Sequence, residues 1–191
     1  MVGLLRGTPH RLVFSAGYEL PVGRGKRFGK NINRWANGVV GGWQLNGILA
    51  WQSGQPLNVQ LANPRMADGG QRPNVTGNPR SSFSIKQVVD GKGLFANANA
   101  FSDPGDQVPG NAPRYDSRLR GDGINNLDAS IFKNFKVRES MNVQFRGEFI
   151  NFTNTPRFNN PNVVVGSPSF GTIFGQYNTP RRIQLGLRFM Y

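Results

Sequence analysis

Carboxylate and imidazole groups are scarce in this sequence. It has 191 residues, of which ten are Asp or Glu and one, His10, is histidine, and it contains no cysteine. Without Cys there is no disulfide, thiolate metal site or thiol redox centre, and a single His leaves no cluster of imidazole ligands. Asp103 and Asp106 are close together, but they flank Pro104-Gly105, a turn in which Asp side chains cap backbone N–H groups. The run Asp122–Asp128 (DGINNLD) resembles the start of a calcium loop. Its twelfth position is Lys133 instead of the closing Glu, and Gly123 is misplaced. Arg120-Gly121-Asp122 spells an adhesion tripeptide; Asn74-Val-Thr76 and Asn151-Phe-Thr153 spell glycosylation sequons. All three are too short to be specific. No phosphate-binding loop or dinucleotide fingerprint is present. These residues point to no enzyme, no metal and no cofactor.

The cations are plentiful. Lys and Arg number 23, giving a formal net charge of +13, a balance that in a soluble domain suggests nucleic acid. The densest stretch is Arg24, Lys26, Arg27, Lys30 and Arg34, with no acid between them. It lies in a Gly-rich segment and not on a helical face, so a solvated loop is the plainer reading. Tyr115, between Arg114 and Arg118, is of the type that stacks bases. One functional class is therefore a soluble basic β-domain that binds nucleic acid or polysaccharide.

Extended segments must carry these side chains. Hydrophobic residues make up 37% of the chain, below the ~45–50% of globular domains. Gly 25 and Pro 13 favour turns and strands over helices. No apolar run approaches the ~20 residues of a membrane helix. Met1–Thr8 lacks the apolar core of a secretory signal, so the chain is expected to be either cytosolic or a piece of something longer.

Five segments alternate with period two, the signature of two-faced strands. Over His10–Leu20, Leu12, Phe14, Ala16, Tyr18 and Leu20 share a face. Over Trp43–Gln52, Trp43, Leu45, Gly47, Leu49 and Trp51 share one. Trp43 and Trp51 are eight residues apart, about 26 Å along a strand. With the tilt of a barrel strand this is roughly 20 Å of height, close to the apolar band between aromatic girdles in an outer-membrane barrel. Residues 127–137 and 141–151 form a hairpin about a short turn at Arg138–Ser140. In its second strand Met141, Val143, Phe145, Gly147 and Phe149 alternate with Asn142, Gln144, Arg146 and Glu148. Arg146 and Glu148 share the polar face at a spacing that suits partners on adjacent strands. Over Ile183–Tyr191, Ile183, Leu185, Leu187, Phe189 and Tyr191 oppose Gln184, Gly186 and Arg188. Ser53–Asn126 and Thr153–Arg182 read as long polar loops, a length that is normally functional or disordered.

The ordered motifs carry a resemblance. His10-Arg-Leu-Val-Phe, Tyr18-Glu-Leu-Pro-Val-Gly-Arg-Gly, Gly41-Gly-Trp-Gln-Leu-Asn-Gly-Ile and Gln52-Ser-Gly-Gln-Pro come first. Arg72-Pro-Asn, Asn125-Asn-Leu-Asp-Ala-Ser-Ile-Phe-Lys-Asn-Phe and Phe145-Arg-Gly-Glu-Phe-Ile-Asn-Phe-Thr-Asn-Thr-Pro follow, and Pro180-Arg-Arg-Ile-Gln-Leu-Gly-Leu-Arg-Phe closes the set. Over essentially its whole length the sequence resembles the C-terminal barrel end of Oar-like TonB-dependent outer-membrane receptors, a group abundant in Acidobacteria.

The resemblance implies an all-β fold: about five C-terminal antiparallel strands of a transmembrane barrel of about 22 strands, with long extracellular loops. Residues 1–191 would be a partial barrel, with the plug, the TonB box and the signal peptide absent, and transport would need the rest of the receptor. In this reading Trp43, Trp51, Phe145 and Phe149 are lipid-facing or girdle residues, and Arg146, Glu148 and Arg188 face the lumen. Leu185, Leu187, Phe189 and Tyr191 form the C-terminal assembly signal. The implied location is the outer membrane. The implied partners are its lipid, the barrel-assembly machinery, the plug and other strands, TonB through the N-terminal part, and an unknown nutrient ligand.

Overall fold

An extended backbone needs a neighbour for its N–H and C=O groups. In the computed structural model, which describes residues 9–67, 70–138 and 141–191, five extended segments supply one another. They are β1 (Arg11–Glu19), β2 (Trp43–Gln52), β3 (Ile124–Arg138), β4 (Met141–Ile150) and β5 (Arg182–Met190). Chain order is also spatial order, so the sheet is a meander. Ala129 of β3 lies opposite Phe149 of β4, and Phe149 opposite Ile183 of β5, in antiparallel ladders. The Leu20 N–H donates to the Trp43 carbonyl at 2.9 Å where β1 ends and β2 begins, which makes that pair antiparallel too.

Four of the five strands have the expected ends to within a residue. β3 starts at Ile124, three residues before the expected Leu127. Ile124-Asn-Asn does not alternate, and backbone pairing needs no alternation. Lys136 faces Asn142 and Arg138 faces Met141, so Val137 is bulged out of the ladder at the end of β3. A turn is expected at Arg138–Ser140, of which Glu139 and Ser140 lie outside the described residues.

The stretch Pro21–Gly42 is more ordered than the loop expected there. It contains a helix, α1 (Arg34–Val40), capped by the Asn33 side chain, which accepts the Ala36 N–H at 2.7 Å. The Asn37 side chain accepts the Arg24 N–H at 2.6 Å, tying the turn region to the helix.

A second compact unit gathers chiefly Gln52–Ile124 and Pro156–Asn178, the segments that read as polar loops. They have a core of their own. Leu57, Val59, Val88, Phe95, Phe101, Leu119, Phe170 and Ile173 are all buried, with Phe101 and Phe170 edge to face at 5.9 Å. Short ribbons frame this core. Pro56–Leu57 pairs antiparallel with Asp116–Arg120, Asn74–Val75 with Phe101–Ser102, and Gln60–Leu61 pairs parallel with Val164–Val165. Helix α2 (Ile85–Val89) starts on a capping box of Ser84 and Gln87 and buries Val88. The last ribbon joins the two long connections across about a hundred residues of sequence.

One ion pair is built into this unit. The Asp116 carboxylate is buried and accepts three N–H groups of Arg118: the backbone at 2.9 Å, Nε at 2.9 Å and Nη2 at 2.7 Å. Burial alone would raise the Asp116 pKa, but the guanidinium and the backbone N–H outweigh it and hold the carboxyl below the usual carboxylate range.

Leu119, fully buried, should cost ~2–5 kcal/mol on truncation to Ala. The expected readout is faster proteolysis within residues 53–126 with the far-ultraviolet strand signal retained; an unchanged cleavage rate would mean that this core does not order the connections. A carboxylate with a depressed folded pKa stabilises above its unfolded value of about 3.9, and that contribution is lost as pH falls through the folded value. Asp116→Asn should therefore cost about 1.5–3 kcal/mol at neutral pH. The protease resistance of wild type and variant should converge in acid, and a gap independent of pH would contradict the charge-based role.

Candidate functional site

The register sorts the sheet into two faces of opposite chemistry. Leu187 lies opposite Phe145, and Phe145 opposite Lys133; Phe189 lies opposite Val143, and Val143 opposite Phe135. Trp43 packs on Phe145 edge to face at 6.4 Å, which puts it on the same face. Phe149 belongs to this face and contacts Phe152 at 5.8 Å. Leu185, Leu187 and Phe189 are 64–71% exposed, so this apolar face has nothing packed over it at β5 among the described residues. Trp51 is also exposed. Tyr191, expected as the last strand residue, stands one residue past the end of β5 and is fully exposed.

The other face is mainly polar, with side-chain hydrogen bonds across β2, β3 and β4. Gln44 donates to Asn46 at 2.9 Å, Asn46 to Ser130 at 3.4 Å, and Gln144 to Asn134 at 2.9 Å. Arg188 lies opposite Gln144. Arg146 and Glu148 form an ion pair of 3.0 Å with each other, inside β4, where the spacing had suggested partners on adjacent strands. The reason is in the ladder: Arg146 faces Phe132 and Gly186, and Glu148 faces Ser130 and Gln184, so neither meets an opposite charge across the sheet. The Arg146 guanidinium also stacks over Phe132 at 4.7 Å. Trp43 and Phe145 are thus brought together, as are Arg146 and Glu148, while Arg188 stands apart from that pair.

Lys133 breaks the pattern. It occupies an apolar-face position opposite Phe145 yet is almost wholly buried. Its Nζ donates to the carbonyls of Val39 at 2.8 Å and Gly41 at 2.5 Å and lies over the rings of Trp43 at 4.8 Å and Phe135 at 5.0 Å. A cation at the end of a helix meets the negative end of its dipole and its unpaired carbonyls. Trp43 adds an Nε1–H bond to the same Val39 carbonyl at 2.9 Å. Helix α1 is therefore pinned on the apolar side of the sheet, at the β2 start. In the sequence Lys133 stands out only as a mismatch to a calcium loop; the signal that marks its role is a lone cation in phase with Ile131 and Phe135.

The chain leaves β4 through a second device that was missed. Asn151 and Asn154 adopt left-handed φ of 54° and 52°, a conformation Asn tolerates better than other non-Gly residues. Buried Asn151 accepts the Thr155 N–H at 3.0 Å and donates to the Thr155 and Thr179 carbonyls at 3.3 Å. Asn154 accepts the Arg181 N–H at 2.9 Å. Two asparagines thereby fix where β4 ends and β5 begins.

In the unit built from the long connections, a polar cleft of about 630 Å³ is lined by Asn58, Gln60, Gln71, Arg72 and Arg114. It presents amide and guanidinium groups, the donors that suit oxygen-rich ligands. Buried Gln71 braces it, accepting the Arg65 N–H at 2.6 Å and donating to the Gly105 and Val108 carbonyls at 2.6 and 2.9 Å. Asp103 caps the Gly105 N–H at 2.9 Å, in the role its Pro-Gly turn suggested. Arg65 bridges Asp103 and Asp106, at 2.7 Å each, which the sequence did not show. The segment that resembled a calcium loop runs from Ile124 onward as strand β3. Arg118 is engaged by Asp116, so the triplet around Tyr115 does not present two free cations.

The sequence matches, over residues 7–184, the model of a family described as an outer membrane beta barrel domain. Comparison with curated proteins and with solved structures gave no match. The match covers most of the chain and agrees with a sheet whose β1–β2, β3–β4 and β4–β5 pairs are antiparallel and which carries one apolar and one mainly polar face. The chain belongs to the outer membrane beta barrel domain family, and it is an all-β protein of the outer membrane.

Proposed function

We propose that the chain is the C-terminal portion of the barrel of a TonB-dependent receptor of the Oar-like kind. The observation that carries this reading is the unequal treatment of the two ends of the sheet. At one end of the strands β3 and β4 are separated by two residues and β1 and β2 by Leu20–Gly42, whereas the connections that leave β2 and β4 at their other ends are longer than either and fold around a core. Short turns on one side and long elaborated loops on the other are the asymmetry of bacterial outer-membrane barrels, with the long loops outside the cell. Edge strands in lipid must be paired, because an unsatisfied backbone group there costs several kcal/mol. β1 and β5 are the edges of this sheet, so the reading adds further strands, a plug, and TonB contact through that plug.

In this assignment the face of Trp43, Phe145, Phe149 and Phe189 meets lipid, and the face of Arg146, Glu148 and Arg188 lines the lumen. The barrel-assembly machinery reads the alternation Leu185, Leu187, Phe189, Tyr191. The connection unit, with its cleft at Arg72 and Arg114, contacts the nutrient ligand. The role is structural and transport-related, and no catalytic step is assigned to any residue. A soluble nucleic-acid-binding role is the weaker reading, since it leaves the bare apolar face of β5 unexplained.

Cysteine accessibility tests the topology. In the intact receptor on whole cells, Ser102→Cys and Gln176→Cys should react with a membrane-impermeant maleimide, and Asn31→Cys only after the outer membrane is opened. Reversed labelling would overturn the orientation. Phe189→Asp should lower the amount of receptor in the outer membrane. Part of that loss comes from a charge on the lipid face, which costs less for an acid than the ~2–4 kcal/mol of a basic residue at mid-depth. Wild-type levels of this variant would remove both the assembly-signal and the lipid-face roles of Phe189.

A further inference from the structure

The β1–β2 connection has features that the receptor reading leaves unused. No acidic residue lies between Glu19 and Asp68, while Arg24, Lys26, Arg27, Lys30 and Arg34 all fall within the connection and are exposed. Only Lys26 is neutralised by an ion pair, to Glu19 at 2.9 Å, among the described residues. The segment is folded, held by the Asn33 cap and by the Asn37–Arg24 bond.

Apolar groups stand out beside these cations. Trp35 is 86% exposed and Val39 69%, and at a spacing of four they share one face of α1. Phe28 is 56% exposed, with Arg27 stacked on its ring at 5.6 Å. A large bare indole in water is unfavourable, whereas at a membrane–water boundary both its ring and its N–H are accommodated. The position of α1 is also fixed. Lys133 and Trp43, both on the apolar face of the sheet, bond the Val39 carbonyl, so the helix sits at the border of that face.

We propose that the β1–β2 connection is a docking surface for anionic phospholipid headgroups of the periplasmic leaflet. Trp35 and Val39 enter the headgroup–acyl boundary, and Arg27, Lys30 and Arg34 take the phosphodiester oxygens. The chemistry that recognises the lipid is the pairing of a short apolar helix face with uncompensated cations, the pattern of interfacial helices. The cations attract negative surface charge, and a guanidinium matches phosphate geometry. The side of the membrane rests on the orientation proposed above.

The test uses the intact receptor that carries this chain, in vesicles of phosphatidylcholine with and without phosphatidylglycerol. Lipid retained after detergent extraction is read by native mass spectrometry. Wild type should retain phosphatidylglycerol in preference to phosphatidylcholine. Each of Arg27→Gln, Lys30→Gln and Arg34→Gln should lower that preference about fivefold, and the triple variant about a hundredfold. Trp35→Ser should weaken retention of both lipids. Excess inorganic phosphate should leave phosphatidylglycerol in place; if phosphate displaces it, the surface binds the ion alone and the proposal fails. Equal retention by wild type and triple variant also overturns it. A fluorophore at Leu45→Cys, on the apolar face beside Trp43 and exposed, quenched by bromine on the lipid chains, reports separately on the wall. Quenching without lipid preference refutes only the docking surface, and absence of quenching refutes the membrane wall together with it.

Discussion

A strand in an apolar medium has no water to bond, so each backbone N–H and C=O must find its partner on a neighbouring strand. The rest of this structure follows from that constraint. A meander is the simplest way to meet it, since each strand pairs with the one made just before. Because successive side chains point to opposite faces, pairing in register also separates the sheet into an apolar and a polar surface. Phe145 between Lys133 and Leu187, and Gln144 between Asn134 and Arg188, are two cross-sections of that separation. Arg146 and Glu148 then pair along one strand because the ladder places neutral residues beside them.

The constraint sets a different problem at the strand ends, where the ladder stops and polar backbone groups are left over. Two of these ends use a polar side chain at a special position. At the β2 start, Lys133 and the Trp43 indole take carbonyls of Val39 and Gly41. At the β4 end, Asn151 supplies both a donor and an acceptor to the departing chain. Within the connection unit, segments of backbone approach each other too closely for a side chain. A Cβ on Gly54 would collide with the Gly121 carbonyl, and one on Gly110 with the Arg72 carbonyl. These contacts give a physical reason for glycine in the Ser53-Gly-Gln-Pro motif and for the packing of the Arg72-Pro-Asn motif.

The five strands were legible because period two is a local signal, complete within ten residues. Trp43 to Trp51 and Ile183 to Phe189 show it without reference to anything else in the chain. The core of the connection unit was not legible, for the opposite reason. Leu57, Val59 and Leu61 alternate over only five residues, Val88, Phe95, Phe101, Leu119 and Phe170 continue no such pattern, and the members of this core meet only through tertiary contact. Helix α1 escaped for a related cause. Seven residues containing Asn37 and Gly38 have little helical tendency of their own, and its stability comes from Asn33 at one end and Lys133, about a hundred residues away in sequence, at the other.

Lys133 shows how a departure from pattern can be more informative than the pattern. A leucine there would continue the face of Ile131 and Phe135 and would suit an apolar medium better. It would leave the carbonyls of Val39 and Gly41 without their partner and α1 without its tether. A lysine can serve because its four-carbon stem lies along the apolar surface while the ammonium reaches the boundary, where helix carbonyls and two aromatic rings replace water. The substitution is tolerable only near the end of a strand, since at mid-depth the same charge has no carbonyls within reach. A lone cation in phase with an apolar strand face, with an aromatic residue two positions on, therefore marks the level at which the apolar face ends. In β3 that level is Lys133–Phe135, and it is the level at which Trp43 begins β2.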